Sequence, residues 1–192
     1  MNPIRTILLA GAAATALALG SVSFAPSYAA EQTVTVGGAP MYPSKNIVQN
    51  AVNSKDHTTL VAAVKAAGLV ETLEGKGPFT VFAPTNEAFA KLPPGTVDTL
   101  LKPENKAELV KILTCHVVSG DVTSKEAMKM IKDDGGKHEV TTVGGCKLWL
   151  QQSGNTLTVT DESGNTANVT IADVKQSNGV IHVIDAVLLP KM

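Results

Sequence analysis

One stretch, residues 79–89 (FTVFAPTNEAF), restricts the fold more than any other part of this 192-residue chain. Its first five residues place apolar side chains on both faces of an extended backbone, which is typical of a strand covered on both sides. Pro84 ends that strand because it has no N–H to donate to a neighbour. Thr85 has a hydroxyl that can cap a helix beginning at Asn86. The stretch therefore predicts a strand, a turn and a helix that anchor two hydrophobic layers.

A second apolar segment, residues 179–190 (GVIHVIDAVLLP), lies near the other end of the chain. It is rich in β-branched residues and is bounded by Gly179 and Pro190, which predicts a central strand with apolar side chains on both faces. His182 and Asp185 are its polar exceptions, and we expect His182 to be a hydrogen-bonded structural residue.

The order of the remaining patterns predicts an α+β fold in a single domain. Apolar residues at helical spacing predict helices at 46–52, 58–68, 97–101, 103–113 and 124–131, with Thr58 or Thr59 as a cap of the second. Strands are predicted at 115–118, 140–143, 146–151, 156–160 and 167–171, and Gly-Gly or Ser-Gly-Asn turns separate the last four. Helices concentrate early and antiparallel strands late, which is the α+β arrangement.

The N-terminus has the pattern of a signal peptide. Arg5 precedes an apolar run at 7–19, and Ser27-Tyr28-Ala29 places small residues at the positions that a signal peptidase reads. The alternative is an N-terminal membrane anchor. We expect residues 1–29 to be removed, residues 30–45 to form a linker or an ordered arm, and residues 46–190 to form the domain. The exported chain, periplasmic or extracellular, then has no membrane span.

Composition and residue spacing exclude several kinds of function. The formal net charge of −1, one Trp and two Tyr give no basis for binding nucleic acid. The four histidines are scattered without metal-ligand spacing, and no nucleophile elbow is present. Asp161, Glu162 and Asp173 could hold a hard cation, but acidic residues near turns are usually solvated. We therefore expect no metal, no cofactor and no catalytic residue.

Three ordered motifs resemble those of the fasciclin domain family. Residues 80–89 (TVFAPTNEAF) are similar to its first signature box, and residues 178–185 (NGVIHVID) to its second. Residues 113–118 (LTCHVV) resemble its tyrosine–histidine segment, with Cys115 in place of the tyrosine. The resemblance covers residues 45–190. It implies a seven-stranded β-wedge with helices packed on it.

The same resemblance implies adhesion. Fasciclin domains are secreted or surface-tethered modules that bind other proteins, matrix or cell surfaces, and two short segments carry receptor binding in animal members. These segments correspond to His116 and to the pair Asp173-Val174, so these three residues are the candidate partner-binding residues. The implied protein is a monomeric, non-enzymatic adhesion module. The alternative is a periplasmic small-molecule-binding protein or enzyme, which a deep apolar pocket would favour.

The two cysteines are a candidate disulfide pair. An exported chain with two Cys is expected to form one disulfide. Cys115 follows a predicted helix and Cys146 opens a predicted strand. We predict a Cys115–Cys146 bridge that replaces the packing of the family's tyrosine, with two buried free thiols as the alternative.

Overall fold

A computed structural model describes residues 32–191, which lie within one compact unit, Glu31–Met192. The α-helices are α1 Ile47–Ala51, α2 Thr58–Ala67, α3 Val70–Glu74, α4 Asn86–Ala90, α5 Thr96–Leu100, α6 Lys106–Thr114 and α7 Ser124–Asp133; short 3-10 turns at Lys55–His57 and Pro103–Asn105 precede α2 and α6. The strands are β1 Val34–Val36, β2 Ala39–Met41, β3 Phe79–Pro84, β4 Val117–Ser119, β5 Lys137–Thr141, β6 Lys147–Ser153, β7 Thr156–Thr160, β8 Thr166–Gln176 and β9 Gly179–Ile184. Within residues 32–191, no helix is both long and apolar enough to cross a bilayer.

Seven strands form one sheet in the order β4-β3-β9-β8-β7-β6-β5, and helices pack on it, so the predicted α+β fold is confirmed. β3 and β9 run parallel to each other, while the other neighbouring pairs are antiparallel. The chain that follows β5 approaches the other edge strand, β4, where the Val143 N–H donates to the Val117 carbonyl oxygen over 2.7 Å. The seven-stranded sheet is therefore a nearly closed wedge.

β3 and β9 separate two hydrophobic cores. On β3, Val81 and Ala83 pack into a first core with helices α1–α6, whereas Phe82 packs into a second core with α7 and strands β6–β8. On β9, Ile181 points to the first core and Ile184 to the second. The prediction that these two segments are covered on both faces is therefore confirmed.

The C-terminal strand is shorter than predicted. β9 ends at Ile184, because the Asp185 side chain turns to β8 and accepts hydrogen bonds from the backbone N–H of Asn168 (2.7 Å) and from its side-chain amide (3.0 Å). The rest of the predicted strand, residues 185–190, is irregular. Val187 and Leu188 remain buried in the first and second core respectively.

Residues 34–41 form an ordered hairpin. Of the two alternatives for residues 30–45, a linker or an ordered arm, this described part is therefore an ordered arm. β1 and β2 pair through Val34–Met41, and the side chains of Val36 and Met41 are buried in the first core. Gly37 and Gly38, both at positive φ, form the turn. The predicted signal peptide lies outside the described residues.

The corner after β3 is confirmed. The Thr85 hydroxyl accepts from the Ala88 N–H over 3.2 Å at the start of α4. The predicted capping of α2 by Thr58 or Thr59 is wrong, because the Asn86 side-chain oxygen reaches across from α4 and accepts from the Thr59 N–H over 3.0 Å.

In the antiparallel part, the strands lie close to their predicted positions. Leu148 and Leu150 are buried on one face of β6, as the alternation predicts, and Leu150 pairs with Val159 of β7. β5 begins earlier than predicted, at Lys137, and β8 continues five residues beyond the predicted end, through register shifts between Val169 and Val174. The strand predicted at 115–118 begins only at Val117 and continues to Ser119, because Cys115 caps α6 and His116 lies in the turn that follows.

Candidate functional site

His116 lies between the end of α6 and the start of β4, with 2% of its surface exposed. Its Nδ1–H donates to the Ile112 carbonyl oxygen (2.8 Å), and its Nε2 accepts from the Leu188 N–H (2.9 Å). These two bonds assign the proton to Nδ1 in a neutral ring. Burial lowers the pKa of His116 to about 4, and the Ile112 carbonyl and Asp161 oppose that shift only in part. His116 therefore ties α6 to the segment after β9.

His182 lies within β9 and is 1% exposed. Its Nε2–H donates to the Val122 carbonyl oxygen (2.8 Å), its Nδ1 accepts from the Asp173 N–H (3.3 Å), and its ring stacks on Phe82. Burial lowers the pKa of His182, against smaller opposite effects of the Val122 carbonyl and two aspartates. The expectation that His182 is a hydrogen-bonded structural residue is confirmed.

Asp173 lies where β8 changes register, and its φ of 57° is in the left-handed region. One carboxylate oxygen accepts from the Ser124 N–H at the start of α7 (2.6 Å), and the other accepts from the Ser124 hydroxyl. An anion at a helix N-terminus also interacts favourably with the helix dipole. The Asp173 side chain is therefore not simply solvated: it is half-buried and holds α7 to β8.

Val174, the third candidate, is 1% exposed and belongs to the first core. His116 and Val174 line the same internal cavity, whereas the carboxylate of Asp173 binds α7. The structure thus brings two of the three candidates together, but inside the molecule. Direct contact of His116 or Val174 with a partner is incompatible with their burial in this conformation.

Cys115 and Cys146 are joined by a disulfide, with their Cα atoms 5.3 Å apart, so the predicted bridge is present. It lies where the edge strands β4 and β5 approach each other, beside the hydrogen bonds from Val143 to Val117 and from Gly144 to Thr114. The disulfide therefore closes the open side of the sheet covalently.

Asp161 differs from its interpretation as a solvated residue. It is 1% exposed, and its carboxylate accepts from the N–H groups of Ser163 (2.9 Å), Asn165 (2.8 Å) and Leu189 (2.8 Å). It organises the turn between β7 and β8 and binds the C-terminal segment. Within residues 32–191, His, Cys, Asp and Glu form no group of three or more that could hold a metal ion.

The exposed side of the antiparallel strands presents a different kind of surface. Trp149 of β6 is half-buried there, between Glu139 of β5 and Thr160 of β7 in the register of the sheet. The Lys137 ammonium lies 4.8 Å from the centre of the Trp149 ring, and Lys147 pairs with Glu139 over 3.0 Å. We call this the Trp149 face. Aromatic side chains are enriched at protein–protein interfaces.

A family model described as "Fasciclin domain" matches residues 55–190. The chain belongs to the fasciclin domain family. It is 46% identical over 187 residues to protein sll1483 of Synechocystis, a match that covers 96% of this chain and 97% of that one. It is 32% identical over 193 residues to the cell surface glycolipoprotein MPB83 of Mycobacterium bovis, covering 98% of this chain and 78% of that one.

The fold of this fasciclin domain agrees with a solved structure of a fasciclin domain pair from the insect cell adhesion molecule fasciclin I. The TM-score is 0.69 at 18% identity, and the match covers 83% of this chain and 58% of that one. This likeness establishes the fold, and the predicted membership of the family is confirmed.

Sequence reasoning missed several polar residues inside this fasciclin domain. Asn50, Ser54, His57 and Asn178 are all less than 9% exposed. Asn50 could have been found, because it lies three residues after Ile47 on the apolar side of α1. Asn178 lies in the second motif, but its partners are distant in the sequence, so its structural role was not predicted. Ser54 and His57 gave no signal.

Proposed function

We propose that this protein is an exported adhesion module, which binds a protein or matrix component at the cell surface through its Trp149 face. The observation that carries the proposal is the division of its polar groups. Buried histidines and Asp161 bind the backbone of the chain itself, whereas the Trp149 face presents an aromatic ring, charges and hydroxyls outward.

The family supports a role at the surface. Fasciclin I is named as a cell adhesion molecule, and MPB83 as a cell surface glycolipoprotein. Both names agree with the export that the N-terminal sequence predicts. Neither name implies catalysis, and we assign no catalytic residue.

In this proposal the three candidate residues act unequally. Asp173 is the only one of them whose side chain is partly exposed, and its carboxylate holds α7 to β8. His116 and Val174 are buried and act only through the stability of the fold. Binding therefore depends on Trp149 directly and on His116 through the fold.

Export is tested by the intact mass of the protein recovered from outside the cytoplasm. We expect a chain that begins at Ala30 or Glu31, because Ala29 and Ala30 are both acceptable before the cleavage site. A mass that retains residues 1–29 would contradict the exported module.

Binding is tested by attachment of the exported protein to the surface of its own cells, in wild type and in Trp149→Ala. Tyr42→Ala is a matched control, since Tyr42 is also half-buried and also lies 4.8 Å from a lysine ammonium, that of Lys45. We expect Trp149→Ala to weaken attachment at least tenfold while Tyr42→Ala does not, with both variants folded.

If both variants attach equally well, the Trp149 face is not the binding surface. The enzyme alternative makes a different prediction about His116. If His116→Ala keeps the melting temperature of wild type but abolishes turnover of a substrate, the adhesion module is the wrong function.

A further inference from the structure

The first core contains a cavity of about 60 Å³. It has room for about four to six water-sized groups. Its floor comes from the sheet and from α6, with Val81, Ile181 and Val174, and its walls from α1–α3 and the β1–β2 hairpin. Almost all of the lining atoms are apolar. A cavity of this kind stays dry and favours an apolar ligand over water.

The cavity reaches the surface between α1 and α2. Ala51 and Val61 line it and are half-buried, and Lys65 lines it and is exposed. The structure shows no ion pair between Lys65 and any residue of 32–191. The mouth therefore combines apolar walls with a cation that is available to a ligand.

One polar side chain also lines the cavity. His57 lines the cavity with 3% of its surface exposed, and its Nδ1 lies 2.9 Å from the Ser54 hydroxyl. Its Nε2 is buried without a hydrogen bond of normal geometry, and the Ala83 carbonyl oxygen beside the ring opposes the lowering of the His57 pKa by burial only in part. An alkyl chain cannot pair with this atom, so we assign His57 no contact with the ligand.

We propose that this cavity is a binding site for an anionic amphiphile of the fatty-acid class. The end of an alkyl chain, about four to six carbons, fills the cavity, and the carboxylate lies outside, at Lys65. Hydrocarbon matches the apolar lining, and a single anionic head matches the single free cation at the mouth. This site is separate from the Trp149 face, so each proposal can fail alone.

The experiment is a titration of the exported protein with decanoate, below its micelle concentration, followed by methyl ¹H–¹³C NMR. We expect saturable shifts of the methyl groups of Val81, Val174 and Ile181, and no shifts of Val159 and Leu157, which pack in the second core. Shifts that are absent, that do not saturate, or that are equally large in both cores would overturn the site.

Two pairs of variants distinguish binding of the ligand's alkyl chain from binding of its carboxylate. Ala51→Phe blocks the mouth and should abolish the shifts, while Ala62→Phe, on the exposed side of α2, should not. Lys65→Glu should weaken decanoate at least tenfold and leave decanol unchanged, and Lys125→Glu on α7 should change neither. If Lys65→Glu binds decanoate as wild type does, or if Ala51→Phe still binds it, the proposal is wrong.

Discussion

The two cores of this domain are held together in different ways. The second core lies between α7 and the inner face of the antiparallel strands, where alternating side chains such as Leu148, Leu150 and Val159 interlock. The first core lies under six short helices and contains a cavity. Regular hairpins fill space closely, because their register fixes every side chain. Short helices need other contacts to fix their positions.

Those contacts are buried amides. Asn178, in the turn between β8 and β9, accepts from the Ile47 N–H at the start of α1 (3.1 Å) and donates to the carbonyl oxygens of Leu73 (2.7 Å) and Gly75 (2.9 Å) at the end of α3. Asn50 of α1 donates to Gln176 of β8. The helical side is therefore positioned by a few polar side chains, and the antiparallel side by many apolar ones.

Removal of Asn178 should have the largest effect. In Asn178→Ala three buried backbone groups lose their partner, so we expect a loss of roughly 3–5 kcal/mol in the free energy of unfolding. Urea unfolding measures it, with Asn155→Ala in the exposed β6–β7 turn as the control. A loss below about 1 kcal/mol would mean that the helical side is positioned by packing alone.

Removal of the disulfide should cost slightly less. The bridge closes a loop with a sequence separation of 31 residues, which in the chain-entropy model corresponds to roughly 3–4 kcal/mol. The double variant Cys115→Ser/Cys146→Ser should lose this amount, and a reducing agent should destabilise wild type but not the variant. Faster hydrogen exchange should appear first in β4 and β5, where the bridge lies; exchange that rises uniformly would contradict its role in closing the sheet.

Acid should lower the free energy of unfolding, because His116 is neutral in the folded state. Its pKa is 6.5 in the unfolded chain and about 4 in the folded one, so its contribution is complete above pH 6.5 and is lost as the pH falls towards 4. The loss amounts to about 3 kcal/mol. Burial lowers the pKa of His57 and His182 as well, which adds to the effect in the same direction.

Unfolding by urea at pH 7.5, 6, 5 and 4 measures this dependence of stability on pH, and His116→Gln should reduce it without removing the part that His57 and His182 contribute. Carboxylates with lowered pKa values do not explain a loss of stability that begins above pH 4.5. Glu162, for example, has its pKa lowered by the N–H groups of Lys147 and Lys191, so its contribution is lost only below its unfolded value of 4.5. A stability that stays constant from pH 6.5 to 4.5 would show that His116 accepts a proton in the folded state.

Sequence reasoning succeeded where local patterns decide the structure. The alternation in β6 and β7 fixes which side chains are buried, and the corner from β3 to α4 follows from Pro84 and Thr85. The pairing of Cys115 with Cys146 also followed, because these are the only two cysteines.

It failed where the partner is distant or where the feature is an absence of atoms. Asn178 and Ile47 are 131 residues apart, so the role of Asn178 is not encoded near either position. The contact of Asp173 with α7 was not predicted, because its partner, Ser124, lies 49 residues earlier. The cavity is lined by residues that are distant in the sequence, so no local sequence pattern predicts it.

Xenon binding followed by methyl NMR tests the difference between the two cores most directly, because xenon enters apolar cavities without needing a polar contact. Under xenon pressure, we expect shifts of the methyl groups that line the cavity, such as those of Val81 and Ile181, and no shifts of the methyl groups of Val159 and Ile184. Equal shifts in both cores, or no shifts in the first, would contradict a closely packed core on one side of the β3–β9 wall and an open one on the other.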